Sequence, residues 1–438
     1  MARYVFGMPK NTATTQGERE TGTRTDAGRP PAGRRLVWLL GPALVAGVAY
    51  LDPGNVASNM TAGAVFGYLL VWVVVLGNVM AWLIQYLSAK LGIVTGESLP
   101  EALGHRIRRP WARRAYWLQA ELVAMATDIA EVIGGAVALN LLFGVPLVWG
   151  GVITGVVSMA LLVVQSRRGA RTFEFVIVGL IAIIAVGFTV GVFVGPPDPA
   201  GIVGGLVPRF EGADSVLLAA SILGATIMPH AIYAHSALSR DRFAPGGTDA
   251  ARGIPIPRLL RATRWDVSIA MLIAGTVNLC ILLLAAANLA GVPGTYSLEG
   301  AYAALAGGIG PVVATLFAVG LLASGLASTS VGAYAGAEIM HGLLHVRVPL
   351  LARRLVTLIP ALVILGIGVD PTLALVLSQV VLSFGIPFAL IPLVVLTARR
   401  AVLGEHRNRW ATTAAGIAAS VFLIALNAVL LWLVLGGA

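Results

Sequence analysis

The sequence predicts an all-α polytopic membrane protein, built as two inverted five-helix repeats plus an eleventh helix, with spans 1 and 6 broken. Three observations support this. The composition is too apolar for a protein surrounded by water, apolar runs of membrane-crossing length recur along the chain, and two proline-bearing polar interruptions lie five spans apart.

Of the 438 residues, 58% are hydrophobic and 11% charged, with a mean hydropathy of +0.87. Such a balance belongs to chains that bury most of their surface in lipid. The one cysteine, Cys280, excludes a disulfide framework, a cysteine-rich metal site and an iron–sulfur cluster.

A span needs about 20 apolar residues, and eleven segments qualify: 36–66 (interrupted), 67–92, 115–142, 147–165, 174–195, 214–239 (interrupted), 265–290, 311–340, 353–369, 371–397 and 411–436. Residues 1–35, polar and rich in Thr, Gly and Arg, read as a disordered cytoplasmic tail. The membrane domain then covers 36–436, with 36–195 as first repeat, 214–397 as second and 411–436 as extra helix. The 240–264 stretch, with Pro245, Gly246, Gly247, Pro255 and Pro257, reads as a flexible connector between spans 6 and 7.

With the amino terminus inside, 29 of the 30 Lys and Arg residues fall in cytoplasmic parts and only Arg209 outside. This asymmetry places a multi-pass protein in the cytoplasmic membrane with its carboxyl terminus outside. The formal charge of +10 is a topology signal rather than a nucleic-acid footprint, because the basic residues lie in short clusters between apolar runs.

The first interruption is Asp52-Pro53-Gly54-Asn55, inside an apolar run from Leu36 to Val74. Proline removes a backbone donor, glycine frees the backbone, and the carbonyls released in hydrocarbon need a new partner. A bound cation is one such partner; an ordinary turn between two spans is the alternative. The second interruption, Gly224 to His230, places Pro229 mid-span beside Met228. Pro229 by itself also fits a plain helix kink. Breaks in spans 1 and 6 match transporters that hold substrate between two unwound stretches at the bilayer midplane.

Together the breaks offer the Asp52 carboxylate, the Asn55 amide, the Met228 thioether, and freed carbonyls such as those of Ala49 and Ala225. Mixed oxygen and soft sulfur suits Mn²⁺, Fe²⁺, Co²⁺ or Cd²⁺ better than Ca²⁺ or Mg²⁺. A methionine in an apolar face is otherwise usually core filler.

The pair Asp52-Pro53-Gly54-Asn55 and Met228-Pro229-His230 resembles the signature of the Nramp family of divalent-metal transporters, over roughly residues 36–436. The resemblance implies a LeuT-like fold and proton-coupled import of Mn²⁺ or Fe²⁺. It also implies metal ligation by Asp52, Asn55 and Met228, joined by the Ala49 and Ala225 carbonyls in different conformations. Gln379 resembles a family position near the metal. Around 322–343, where many eukaryotic members carry glutamines, this chain has Leu326 and Ala337, a departure that bears on gating.

Span 3 carries Glu121, Asp128 and Glu131 in an apolar segment, spaced to form a stripe on one helix face. Intramembrane carboxylates face a bundle interior or a watery cavity. Arg353 and Arg354 at the start of span 9 are the obvious partners, and structural pairing does not exclude a proton relay. In the family, positions resembling Asp128, Glu131 and this arginine pair belong to the proton path. The expected pathway thus comprises Asp52, His230, Glu121, Asp128, Glu131, Arg353 and Arg354. His230 and His235 each fit either proton exchange or a satisfied core. Gln85 and Asn278 fit interhelical hydrogen bonding.

The expected partners are a divalent metal ion, protons and the lipid bilayer, with no cofactor, nucleic acid or obligate protein partner. A sodium-coupled symporter of a small organic solute would keep the fold but needs no thioether, and a passive metal channel stays open. An enzyme is not expected: no phosphate-binding loop of the Gly-x-x-x-x-Gly-Lys-Ser/Thr type is present, and none of the six histidines forms a His-Glu-x-x-His pair.

Overall fold

The computed structural model describes residues 41–168, 170–243, 254–346 and 348–436. The tail expected over 1–35 and the middle of the 240–264 connector lie outside the described residues. Among these residues the secondary structure is helical, without a strand. The spans are α1 (Pro42–Gly47) continued by a 3₁₀ turn (Val48–Leu51) and α2 (Pro53–Phe66), then α3 (Val71–Thr95), α5 (Pro110–Phe143), α6 (Leu147–Arg168) and α7 (Ala170–Val194). The second set is α9 (Gly212–Ile227) with α10 (Pro229–Phe243), α11 (Ile256–Asn288), α13 (Pro311–Leu344), α14 (Leu350–Gly366), α15 (Pro371–Ala398) and α17 (Trp410–Gly436). Eight of these spans are long and apolar enough to cross a bilayer by length and composition alone. The other three are the interrupted first span, α6, and α14 with its two arginines.

Four short helices were invisible to a search for apolar runs: α4 (Leu99–Arg106), α8 (Pro199–Gly205), α12 (Leu298–Gly308) and α16 (Arg400–Leu403). Helix α4 starts at a capping box in which Glu101 N donates to Ser98 Oγ and Ser98 N donates to Glu101 Oε2. Two expected limits also need correction. Span 3 begins at Pro110 rather than 115, because proline suits the first helical turn, where its missing N–H is an orphan anyway. Span 7 begins at Ile256 rather than 265. Its first turns are amphipathic, burying Leu259, Ala262 and Thr263 while Arg258, Arg261 and Arg264 face outward, so a hydropathy criterion misses them.

Packing repeats five spans apart, as an inverted repeat requires. The contact of α2 with α11 is matched by α10 with α3, that of α13 with α7 by α15 with α5, and that of α5 with α14 by α13 with α6. Helices α5 and α13 pack on each other across the pseudo-symmetry. Close approach there needs glycine, since a Cβ on Gly325 would meet the Glu131 carbonyl at 3.0 Å; on the same helix α5 a Cβ on Gly134 would meet Pro53 Cβ of α2 at 2.1 Å.

The ends of α1 and α10 are tied down by charge. Asp266 of α11 accepts from the amides of Gly41 and Ala43 at 3.1 and 2.9 Å and so caps α1. Arg240 of α10 meets Glu101 of α4 at 2.5 Å and Glu338 of α13 at 3.2 Å. These contacts close one end of the bundle around the two broken spans.

Candidate functional site

Each break follows from one missing amide hydrogen. Pro53 cannot donate to the Ala49 carbonyl four residues back, so Asp52 N takes it at 3.3 Å in a tighter 3₁₀ turn. Asp52 then turns extended (φ −72°, ψ 165°) and caps α2, its Oδ1 accepting from Asn55 N at 2.8 Å. Pro229 likewise cannot donate to the Ala225 carbonyl, and Met228 takes a φ of 29°, a conformation that costs a non-glycine residue energy and marks a functional constraint.

The two breaks meet through Asn55. Its Nδ2 donates both to Asp52 Oδ1 at 2.8 Å and to the freed Ala225 carbonyl at 2.9 Å. Gln379 of α15 reaches Asp52 Oδ2 from the other side at 3.4 Å. Asp52, Asn55, Ala225, Met228 and Gln379 are all fully buried. Two buried oxygens here, Asn55 Oδ1 and Gln379 Oε1, have no hydrogen-bond partner. Unpaired buried acceptors are costly, and a cation is a partner that uses such oxygens. Among the described residues no group of three His, Cys, Asp or Glu side chains is placed to hold a metal ion. The available donor set is therefore one carboxylate, two amides, a carbonyl and a thioether. In this conformation the Ala49 carbonyl accepts from Asp52 N in the 3₁₀ turn.

The remaining carbonyls of the first break are satisfied by residues that the sequence reading did not place at the site. Asn278 Nδ2 donates to the Tyr50 carbonyl at 2.9 Å, and Ser324 Oγ donates to the Leu51 carbonyl. Tyr50 OH, Gln85 and His235 form a further chain, with His235 Nδ1 2.6 Å from Gln85 Oε1 and Gln85 Nε2 bonded to the tyrosine oxygen. Ser324 is one of several small hydroxyl residues in the apolar run of α13, and such hydroxyls are common in packed membrane helices, so nothing in the sequence singled it out.

Span 3 bears out the stripe and its arginine partners. Arg353 contacts Glu121 at 3.0 Å and Asp128 at 3.1 Å, while Arg354 contacts Asp128 at 3.0 Å and Glu131 at 3.1 Å. Arg354 also donates to Ser158 and Thr329, both at 3.1 Å. Glu121 is the outermost of the three, at 16% side-chain exposure, whereas Asp128 and Glu131 are sealed at 0%. Glu131 Oε1 is left without a partner. His230 bonds neither Asp52 nor Asp128 directly; its Nδ1 lies 3.1 Å from Thr127 Oγ1, one residue before Asp128.

This cluster depends on a glycine of α13. A Cβ on Gly336 would lie 1.9 Å from Arg353 Cζ, whose guanidinium is pinned between Glu121 and Asp128. Gly336→Ala is expected to cost about 1–3 kcal/mol by overpacking, read as a lower melting temperature. Gly366→Ala, where nothing lies within 4 Å, should leave it unchanged. Equal melting of the two variants would mean that the guanidinium can move aside freely.

Two membrane-embedded helices unwound opposite one another, with polar donors converging between them halfway along their spans, define a membrane transporter of LeuT-like fold. The chain belongs to the Nramp family: the profile described as Natural resistance-associated macrophage protein-like matches residues 43–433. It is 61% identical over 405 residues to the divalent metal cation transporter MntH of Mycobacterium tuberculosis (strain ATCC 25618 / H37Rv), covering 91% of this chain and 92% of that protein. The crystal structure of the Eremococcus coleocola manganese transporter superposes with a TM-score of 0.80 at 33% identity, covering 92% of this chain and 87% of that one. MhsT, solved in complex with L-phenylalanine, shares the fold alone, with a TM-score of 0.55 at 12% identity over 90% of this chain and 98% of its own. The chain is accordingly a multi-pass membrane transporter and not an enzyme.

Proposed function

We propose that this protein imports a divalent transition metal, Mn²⁺ or Fe²⁺ with Cd²⁺ and Co²⁺ also accepted, across the cytoplasmic membrane in symport with protons. Its amino terminus is cytoplasmic and its carboxyl terminus outside. The observation that carries the metal reading is the pair of unpartnered oxygens, Asn55 Oδ1 and Gln379 Oε1, beside the Asp52 carboxylate and the Ala225 carbonyl.

In the present arrangement the Asn55 NH₂ separates two acceptors that would otherwise repel each other. A cation arriving between Asp52 and Ala225 takes over that role. The Asn55 amide then rotates to present Oδ1, Gln379 does the same with Oε1, and Met228 supplies sulfur. As the metal binds, a proton leaves Asp52 and passes over His230 and the carboxylates Glu121, Asp128 and Glu131 in the direction of metal entry, with Arg353 and Arg354 setting the local field. Support for this path is that the carboxylate ladder runs from partly exposed Glu121 to sealed Glu131 along one helix.

Uptake into proteoliposomes tests both halves. Mn²⁺ accumulation should rise when the outside is made acidic relative to the lumen. Flux indifferent to the proton gradient would favour a passive channel. In the same vesicles Met228→Ala should weaken Cd²⁺ uptake much more than Mn²⁺ uptake and relax the rejection of Ca²⁺. The thioether is a ligand hard cations use poorly, and alanine leaves room for a water that Ca²⁺ accepts. Metal-to-metal ratios equal to wild type would reduce Met228 to packing, because loss of protein cancels in a ratio.

A further inference from the structure

We infer that a cleft between α5, α15 and α17 binds one anionic phospholipid, with an acyl chain in the cleft and the headgroup against arginines at the adjoining helix ends. The cleft measures about 540 Å³ and is lined by Phe384, Pro387, Phe388, Pro392, Ile424 and Leu431, with Tyr116 and Asn427 at its walls. That volume lies in the range of about 300–1,000 Å³ that encloses a sizeable apolar ligand.

The two polar walls are already committed, and the reason lies in the prolines of α15. Pro387 has no N–H for the Ser383 carbonyl, so Asn427 Nδ2 donates to it at 3.0 Å while Ser383 Oγ donates to Asn427 Oδ1 at 2.9 Å. Pro392 likewise frees the Phe388 carbonyl, which accepts from Tyr116 OH, itself 3.0 Å from Tyr233 OH. With both polar groups satisfied, only hydrocarbon suits the interior. The cleft also opens sideways: Phe388, Ile424 and Leu431 are 50%, 46% and 46% exposed on the outside of a bundle that spans a membrane.

Its charge selects the lipid class. Arg113 lies one turn from Tyr116, Arg114 follows it, and Arg399 and Arg400 succeed the last turn of α15. Between residues 107 and 120, and between 383 and 404, the sequence has no Asp or Glu. Among the described residues none of these four guanidinium groups has a carboxylate or hydrogen-bond partner, and Arg113 Nε is buried without one. Basic residues beside a cleft between spans bind anionic headgroups. A bland role for the same arginines is to fix orientation only, in which case a zwitterionic lipid would fill the cleft equally well.

The full-length protein, reconstituted with equal phosphatidylglycerol and phosphatidylcholine of matched chains and then extracted for native mass spectrometry, distinguishes the two. Wild type should retain one phosphatidylglycerol with a preference of roughly fivefold or more. Ala428→Trp, which fills the cleft from an exposed lining position, should release it. The combined substitutions R113Q, R114Q, R399Q and R400Q should keep a lipid but erase the preference. Equal retention of both lipids by wild type, or an unaltered phosphatidylglycerol adduct in Ala428→Trp, overturns the site. Should Ala428→Trp fail to fold, as judged by its melting profile, the four-arginine variant decides alone, since its changes lie at the rim: an unchanged preference there refutes the headgroup contact.

Discussion

Replacing Asp52 by asparagine is expected to abolish metal binding while leaving the fold intact. Asp52 is the one carboxylate among the donors at the two breaks, and it is fully buried. Beside a divalent charge, at an effective dielectric of about 20, a single carboxylate contributes several kcal/mol even after its own desolvation. A loss of roughly 100-fold or more in affinity follows, about 2.7 kcal/mol. Asparagine is also the replacement that the surroundings accept. Its side-chain oxygen can cap α2 and receive Asn55 N and Nδ2 as Asp52 Oδ1 does, and its NH₂ would face Gln379, whose Oε1 lacks a partner. Asp52→Ala lacks the cap as well, and a lost cap costs about 0.5–2 kcal/mol. Calorimetric titration with Mn²⁺ beside thermal melting separates charge from cap: asparagine should lose the heat signal and keep the melting temperature, and alanine should lose both. An unchanged Mn²⁺ affinity in Asp52→Asn would remove Asp52 from the site.

Both breaks were legible in the sequence because proline acts locally. Pro53 and Pro229 each deprive the carbonyl four residues earlier of its donor, which singles out Ala49 and Ala225 before any packing is known. How those carbonyls are satisfied was not legible. Ala49 is taken by a residue of its own turn, Ala225 by Asn55 from the other repeat, and the Leu51 carbonyl by Ser324, 273 residues away in the chain. Nothing in a serine flanked by alanine and glycine announces that bond. The carboxylate stripe of span 3 was equally plain from spacing, yet the division of Asp128 between two arginines depends on how α14 crosses α5, which spacing does not encode. Short helices such as α4, and the amphipathic start of α11, escaped for a different reason: they lie along the apolar bundle at its ends and never present a run of membrane-crossing length.

Arg354→Met should be the most destabilising substitution in the carboxylate cluster. Arg354 is among the largest fully buried side chains of the protein, and its guanidinium bonds Asp128, Glu131, Ser158 and Thr329. Asp128 keeps Arg353 when Arg354 is lost, whereas Glu131 keeps no cation at all. Removing one partner of a buried ion pair costs about 3–5 kcal/mol, since the other charge stays desolvated. In a chain of 438 residues that corresponds to a fall in melting temperature of about 3–5 °C. Arg353→Met should cost less, because Glu121 is partly exposed and water can replace its partner. The cause is checked by a second change: Glu131→Gln added to Arg354→Met removes the uncompensated charge and should restore most of the lost stability, a coupling that independent effects would not show. If the double variant melts as low as Arg354→Met alone, the loss comes from the vacated volume rather than from charge. In that case the local field invoked for proton movement past Glu131 would lose its support.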